Sequence, residues 1–236
     1  MGMHSSFDKG RIAFRKLRAR LLRRPSQTLV AGMIAATALV GSQPAQARYA
    51  SFVMDAQSGE VFYARNADTR NFPASLTKIM TLFMVFEALE TGRLKPDQAL
   101  PVSRRAAGQA PSKLGLKAGQ TITVEEAIGA LSVKSANDVA TVVAEAIGGT
   151  EIKFAQMMTK RAREIGMSRT TFKNASGLPN RGQLSTARDM AVLGREMLVR
   201  FPNQYAHFSD LTFKYGERTY SNNNKLLKTY DGMDGI

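Results

Sequence analysis

Ser75 and Lys78 stand three residues apart at the start of a long apolar stretch, "FPASLTKIMTLFMVFEALETG", residues 72–92. Residues at this spacing lie on one face of a helix, so the hydroxyl and the amine would be neighbours. Burial among apolar side chains lowers the pKa of a lysine, because the ammonium loses its hydration. An uncharged amine can accept the proton of a serine hydroxyl. The spacing therefore predicts a serine nucleophile with Lys78 as its base.

The other usual catalysts are scarce in this sequence. After the first 47 residues His207 is the only histidine, and no G-x-S-x-G turn occurs, which disfavours a Ser-His-Asp triad. Cysteine is absent, which excludes thiol nucleophiles, disulfides and thiolate metal sites. One histidine without cysteine also disfavours a zinc hydrolase. We expect neither a cofactor nor a metal.

A second motif follows the first by 60 residues, where Ser135 and Asn137 occur in "KSAND". This segment interrupts two helical patterns, and side chains in such a break can point into a cleft. Taken alone, each motif is better explained as a helix cap or a turn than as a catalytic site. Both motifs also occur elsewhere in the sequence, S-x-x-K at Ser6 and S-x-N at Ser221. The combination of the two motifs carries the catalytic hypothesis.

Secondary-structure elements must position these residues. The sequence predicts strands at both ends of residues 49–236 and helices between them. Hairpins are predicted over residues 50–64 and within "LTFKYGERTYSN". A helix over residues 74–90 is apolar around nearly its whole circumference, which indicates a central, buried helix. Further helices are predicted from Thr123, with Glu126 completing a capping box, and over residues 139–148, 151–165 and 186–200. The pattern predicts an α+β fold, in which an antiparallel sheet is flanked by a helical cluster.

Residues 1–47 are typical of a signal peptide. A basic segment precedes the apolar run Leu29 to Gly41, and Ala45 and Ala47 form an Ala-x-Ala cleavage site. An uncleaved anchor is the alternative, but about 13 apolar residues fall short of the roughly 20 that span a bilayer. We therefore predict export, with residues 48–236 as the mature part of the chain.

Net charge gives a weaker indication of partners. The whole chain carries +14, and removing the eight basic and one acidic side chains of residues 1–47 leaves +7. A positive excess of this kind suits a polyanionic surface such as cell wall or anionic lipid. No basic run with interleaved aromatic residues indicates nucleic acid.

Four ordered segments, "FPASLTKIMT", "SANDVA", "EIGMSRTTFKNASGLP" and "LLKTYDGMDGI", resemble the low-molecular-mass D-alanyl-D-alanine carboxypeptidases, serine peptidase family S11. These are penicillin-binding proteins with a beta-lactamase/transpeptidase-like fold, whose wider superfamily carries S-x-x-K, S-D-N and K-T-G. The resemblance implies that Ser75 is acylated, Lys78 is its base, Ser135 relays a proton to the leaving group and Asn137 binds substrate. The middle position of the second motif departs from the pattern, since Ala136 replaces Asp.

The same resemblance implies a substrate and a location. The substrate would be a peptidoglycan stem peptide losing its terminal D-alanine, and beta-lactams would acylate Ser75. The protein would act in the periplasm or at the outer face of the cytoplasmic membrane, with peripheral contact to the membrane surface. A D,D-endopeptidase with the same residues and a non-catalytic wall-binding protein remain alternatives.

The chain ends where the family pattern continues. In the family "DGI" is followed by K-T-G on a strand that lines the cleft, and this sequence ends at Ile236. That strand would bind the terminal carboxylate of the substrate and supply an oxyanion N–H, a donor worth about 10²- to 10³-fold in turnover. We therefore expect residues 1–236 to lack C-terminal strands and to be nearly inactive alone.

Overall fold

The computed structural model describes residues 49–235. The predicted signal peptide and the strands predicted to follow Ile236 both lie outside the described residues, so these expectations and the boundary at residue 48 stay predictions. Within residues 49–235, no helix combines the length and the apolar character needed to cross a membrane.

Strands in the described part of the chain pair antiparallel, two by two. They form the sheets β1–β2, β3–β4 and β5–β6, with bounds β1 Ser51–Met54, β2 Val61–Arg65, β3 Ala99–Pro101, β4 Thr121–Thr123, β5 Thr212–Tyr215 and β6 Arg218–Ser221. Both predicted hairpins are present, and the α+β class is confirmed. The β3–β4 pair was not predicted, because strands of three residues are too short to show an alternating pattern.

Seven α-helices lie within residues 49–235. They are α1 Thr77–Glu90, α2 Arg104–Ala107, α3 Val124–Gly129, α4 Asn137–Gly148, α5 Glu151–Glu164, α6 Ala187–Arg200 and α7 Pro202–Tyr205. Tight 3-10 turns occupy Ala74–Leu76, Ala206–Phe208 and Lys225–Lys228, and a π-helical turn occupies Ala130–Lys134. The predicted capping box is present, with the Thr123 side chain accepting from Glu126 N and the Glu126 side chain accepting from Thr123 N.

Helix α1 is the central element that the sequence predicts. Nearly every side chain from Thr77 to Phe86 is buried, and the helix packs against α4, α5 and α6. Phe83 meets Phe201 edge to face, with ring centroids 5.2 Å apart. A helix enclosed on all sides keeps its first turn fixed, and this turn carries Lys78.

Candidate active site

A cavity of about 460 Å³ opens beside the first turn of α1. Ser75, Lys78 and Ser135 all line it, so the structure brings together three of the four predicted site residues. Apolar side chains form much of the remaining wall, among them Leu76, Ile79, Leu82, Leu131 and Phe208. Such a wall reduces the hydration of the polar groups packed against it, Lys78 above all.

Lys78 is almost completely buried, with 3% of its surface exposed. Its Nζ donates to the carbonyl oxygen of Ser176 at 2.6 Å, and it forms no ion pair within residues 49–235. Burial lowers the pKa of Lys78 to about 8. The lowered pKa agrees with the expectation from the sequence, because one hydrogen bond to a neutral carbonyl offsets the lost hydration less than a carboxylate partner would.

Ser75, in contrast, is exposed at the cavity. It lies in the 3-10 turn that precedes α1, and its side chain forms no hydrogen bond to another described residue. The residue before it, Ala74, has a left-handed backbone with φ of 48°. A non-glycine residue in this region costs on the order of 1–2 kcal/mol. The turn thus holds the hydroxyl in the open, at some cost in backbone energy.

Gly177 explains how a second segment approaches this turn so closely. Its φ is 88°, and a Cβ at this position would clash with the carbonyl oxygen of Ala74. Only glycine tolerates both the backbone angle and the contact. The turn over residues 174–178 can therefore pack directly against the backbone that carries Ser75.

Asn174 fixes the shape of that turn through its side chain. Its Oδ1 accepts from the N–H of Gly177 at 2.8 Å, and its Nδ2 donates to the carbonyl of Leu178 at 2.9 Å. These bonds orient the carbonyl of Ser176 that receives the Lys78 amine.

Gln183 joins the turn to helix α1, a role that no sequence motif indicates. Its Oε1 accepts from the backbone N–H groups of Lys173 and Asn174, both at 2.9 Å. Its Nε2 donates to Thr77 Oγ1 and to Asn174 Oδ1, both at 3.2 Å. Gln183 is buried and lies 106 residues from Thr77, so no local pattern could reveal the link.

Ser135 follows the π-helical turn and precedes α4. Its backbone is left-handed, with φ of 57° and ψ of 45°. π-helical turns occur frequently at functional sites, and they interrupt the regular helix ladder. This break lets Ser135 line the cavity while Asn137 begins the next helix.

Asn137 is placed differently from the other predicted residues, since it is not among those lining the cavity. Its Nδ2 donates to the carbonyl of Ala110 at 2.9 Å, and its backbone N–H donates to Ser112 at 2.7 Å. The Oδ1 accepts no hydrogen bond from residues 49–235, so this atom is the one available to a ligand. Its substrate-binding role stays a prediction.

Asp138 is the second residue of α4 and is not its N-cap. The N-cap is Ala136, without a side-chain bond, and the Asp138 carboxylate turns instead to a separate loop. It accepts from the backbone N–H groups of Leu114, Gly115 and Leu116 at 2.9–3.1 Å. A carboxylate within a helix's first turn can reach a neighbouring loop. Here three N–H groups of that loop bind it at the same time.

Comparison with known proteins places this arrangement in a family. The profile described as Peptidase_S11, D-alanyl-D-alanine carboxypeptidase, matches residues 37–236. The D-alanyl-D-alanine carboxypeptidase DacF of Bacillus subtilis is 33% identical over 204 residues, which are 83% of this chain and 51% of DacF. DacC of Escherichia coli is 33% identical over 215 residues, which are 86% of this chain and 54% of DacC. The chain thus spans about half the length of these curated relatives.

Solved structures agree with the sequence comparison. The D-alanyl-D-alanine carboxypeptidase DacD from Francisella tularensis superposes with a TM-score of 0.76 at 30% identity, covering 85% of this chain and 63% of DacD. Penicillin-binding protein D2 from Listeria monocytogenes, in its ampicillin-bound form, gives a TM-score of 0.71 at 31% identity, covering 79% of this chain and 76% of that protein. The chain belongs to family S11, the D-alanyl-D-alanine carboxypeptidases.

Proposed function

We propose that the protein is an exported serine-type D-Ala-D-Ala carboxypeptidase that removes the terminal D-alanine from peptidoglycan stem peptides. The observation that carries this proposal is the pairing, in one cavity, of an exposed Ser75 with a buried Lys78 of lowered pKa. Membership of family S11 supplies the substrate class. The ampicillin-bound relative supports beta-lactams as acylating inhibitors.

In the acylation step, Ser75 Oγ attacks the carbonyl carbon between the two D-alanines. Its proton passes to the neutral Nζ of Lys78, and the carbonyl oxygen becomes an oxyanion. When the C–N bond breaks, Ser135 Oγ hands a proton to the leaving amine and is reprotonated from Lys78. D-Alanine departs, and the remaining acyl group is an ester of Ser75.

Hydrolysis then regenerates the enzyme. A water molecule attacks the ester carbonyl and loses its proton to Lys78, after which the Ser75 oxygen leaves and recovers a proton. Asn137 would hydrogen-bond the peptide through its Oδ1. With a pKa of about 8, roughly a tenth of Lys78 is neutral at pH 7. The steps transfer an acyl group and protons, and they call for no cofactor or metal.

Labelled penicillin tests the nucleophile. The protein expressed from its complete reading frame should gain one label, on the peptide that contains Ser75, and Ser75→Ala should gain none. Equal labelling of the parent and Ser75→Ala would contradict the proposal. The matched control is Ser132→Ala, which removes a second hydroxyl of the same cavity, one already bonded to the carbonyl of Ile128 at 3.0 Å.

Product analysis separates this activity from its alternatives. Monomeric pentapeptide muropeptides should release D-alanine, whereas an endopeptidase would act on cross-linked muropeptides instead. A wall-binding protein without catalysis would sediment with isolated wall and show neither product nor label.

We also propose that the protein works in the periplasm or at the outer face of the cytoplasmic membrane, in peripheral contact with the membrane surface. The leader-like residues 1–47 and the remaining charge of +7 support this. Cell fractionation should find a protein that begins near residue 48 outside the cytoplasm, and high salt should release it from membranes. Retention in the cytoplasm would contradict the proposal.

A further inference from the structure

A second cavity, of about 630 Å³, lies beside the segment that connects β2 to the turn that carries Ser75. Residues 66–70 form one side, and Arg169 and Arg188 reach it from distant parts of the chain. We call this the arginine pocket. None of its residues takes part in the proposed carboxypeptidase reaction.

The arginine pocket carries a net positive charge. Four charged side chains line it: Arg70, Arg169, Arg188 and Asp68. Three guanidinium groups against one carboxylate leave a charge of +2. The side chains of Arg70 and Arg169 are exposed and form no hydrogen bond or ion pair within residues 49–235. Two guanidinium groups are therefore available to a ligand.

Arg188 differs, because its position is already fixed. Its Nε and Nη2 donate to the two carboxylate oxygens of Asp68 at 2.8 and 3.0 Å, and its guanidinium lies 4.6 Å from the ring centroid of Phe52. The Nη1 donors remain free of partners among the described residues. A guanidinium held in this way loses little conformational freedom when an anion binds.

The hydrogen bonds from Arg188, together with the charge of Arg169, hold the pKa of Asp68 below its usual range. Asp68 thus stays ionised under ordinary conditions and keeps Arg188 in place. Its single negative charge does not neutralise the pocket, so an anionic ligand still meets an excess of positive charge.

We propose that the arginine pocket binds a phosphate group, as a site separate from the Ser75 cavity. Guanidinium forks match phosphate oxygens, and two free forks with the remaining donors of a third can serve three oxygens. A net charge of +2 suits a phosphate better than a carboxylate, which carries a single negative charge and two oxygens. This inference goes beyond the carboxypeptidase proposal and does not depend on it.

The test uses phosphate itself as the probe. Inorganic phosphate and glycerol phosphate are titrated into the isotope-labelled mature protein, and the backbone amides of residues 66–70 and 169 are followed by NMR. We expect saturable shifts at these amides. The variant R70Q/R169Q should bind at least about tenfold more weakly, since each charged hydrogen bond lost is worth about that factor.

A matched control carries the same loss of charge elsewhere. The pair R104Q/R218Q removes two exposed arginines that lie outside the pocket and have no side-chain partner within residues 49–235. Phosphate affinity should stay within about twofold of the parent. Equal weakening in both double variants, or no saturable shift in the parent, would overturn the proposal.

Vesicles identify the source of the phosphate. If the ligand is a lipid headgroup, phosphatidylglycerol vesicles should retain the parent and lose R70Q/R169Q, whereas neutral vesicles retain neither. If the ligand is a soluble phosphate, the free anion should bind, and phosphatidylglycerol vesicles should retain R70Q/R169Q as well as they retain the parent. Both results support a phosphate site. Labelling by penicillin should be unchanged in R70Q/R169Q, which keeps this test independent of the catalytic proposal.

Discussion

Lys78 and Asp138 are both buried ionisable residues in the first turns of neighbouring helices, α1 and α4, yet their surroundings differ. Asp138 is fully buried and accepts hydrogen bonds from four backbone N–H groups, three in the loop over residues 114–116 and one at Val139. Lys78 has one partner, the carbonyl of Ser176. Protein hydrogen bonds therefore replace much of the lost hydration of the Asp138 carboxylate, and little of that of the Lys78 amine.

This difference separates a structural group from a reactive one. A buried charge with a full set of donors ties chain segments together. A buried amine with a single acceptor is easier to deprotonate, which is what a general base for a serine hydroxyl needs. Burial alone would have marked both residues as candidates, and the number of partners distinguishes them.

Replacing Lys78 should give the largest effect on rate. Lys78→Met keeps the apolar stem and removes the base, so we expect acylation by penicillin to fall by about 10²- to 10⁴-fold, the usual contribution of a general base. Stopped-flow labelling of the protein expressed from its complete reading frame measures this. The matched control is Lys113→Met, outside the cavity, which should acylate at the parental rate; a near-normal rate in Lys78→Met would refute its role as the base.

Replacing Asp138 should act on stability instead. Asp138→Ala leaves the N–H groups of Leu114, Gly115 and Leu116 without their acceptor. Leu114 and Leu116 are buried, and each unsatisfied buried donor costs about 1–3 kcal/mol. We expect the free energy of unfolding in urea to fall by about 3 kcal/mol or more. The exposed Asp97→Ala serves as control. The comparison fails if Asp138→Ala unfolds like the parent but cannot be acylated.

The dependence on pH should again distinguish the two residues. Because the neutral amine is the base, acylation should rise about tenfold per pH unit below a midpoint near 8 and level off above it. The folded-state pKa of about 8 lies below the ordinary 10.5, so the unfolded chain binds more protons between these values. The contribution of Lys78 to the free energy of unfolding is therefore lowest below pH 8, and it rises by about 3 kcal/mol as the pH approaches 10.5.

Lys78→Met supplies the control for that pH dependence. The variant has no amine to titrate, so its free energy of unfolding should lack the rise between pH 8 and 10.5 that the parent shows. Urea unfolding at several pH values measures both. An identical pH dependence in parent and variant would mean that Lys78 keeps an ordinary pKa.

Local features of the fold could be predicted, and long-range partners could not. Helix α1, the two hairpins and the Thr123 capping box depend on residues within a few positions of one another. The Ser75 and Lys78 pair follows from helical spacing alone. By contrast, the carbonyl that accepts from Lys78 lies 98 residues away, and the loop that captures Asp138 lies more than 20 residues before it. Such contacts are set by how helices pack, which no periodicity encodes.

We expect the smallest effect from weakening the link that Gln183 makes between the turn over residues 174–178 and the first turn of α1. Thr77→Val keeps the volume of a fully buried side chain but removes the hydroxyl that accepts from Gln183 Nε2, so the turn that holds Ser176 is less firmly tied to Lys78. We expect a loss of about 1 kcal/mol in stability and acylation roughly fivefold slower, with Thr77→Ser restoring the rate. Thr141→Val, which removes a buried hydroxyl bonded within α4, should lose similar stability without slowing acylation. If both valine variants slow acylation equally, the effect is general loosening of the core, and Gln183 does not position the lysine.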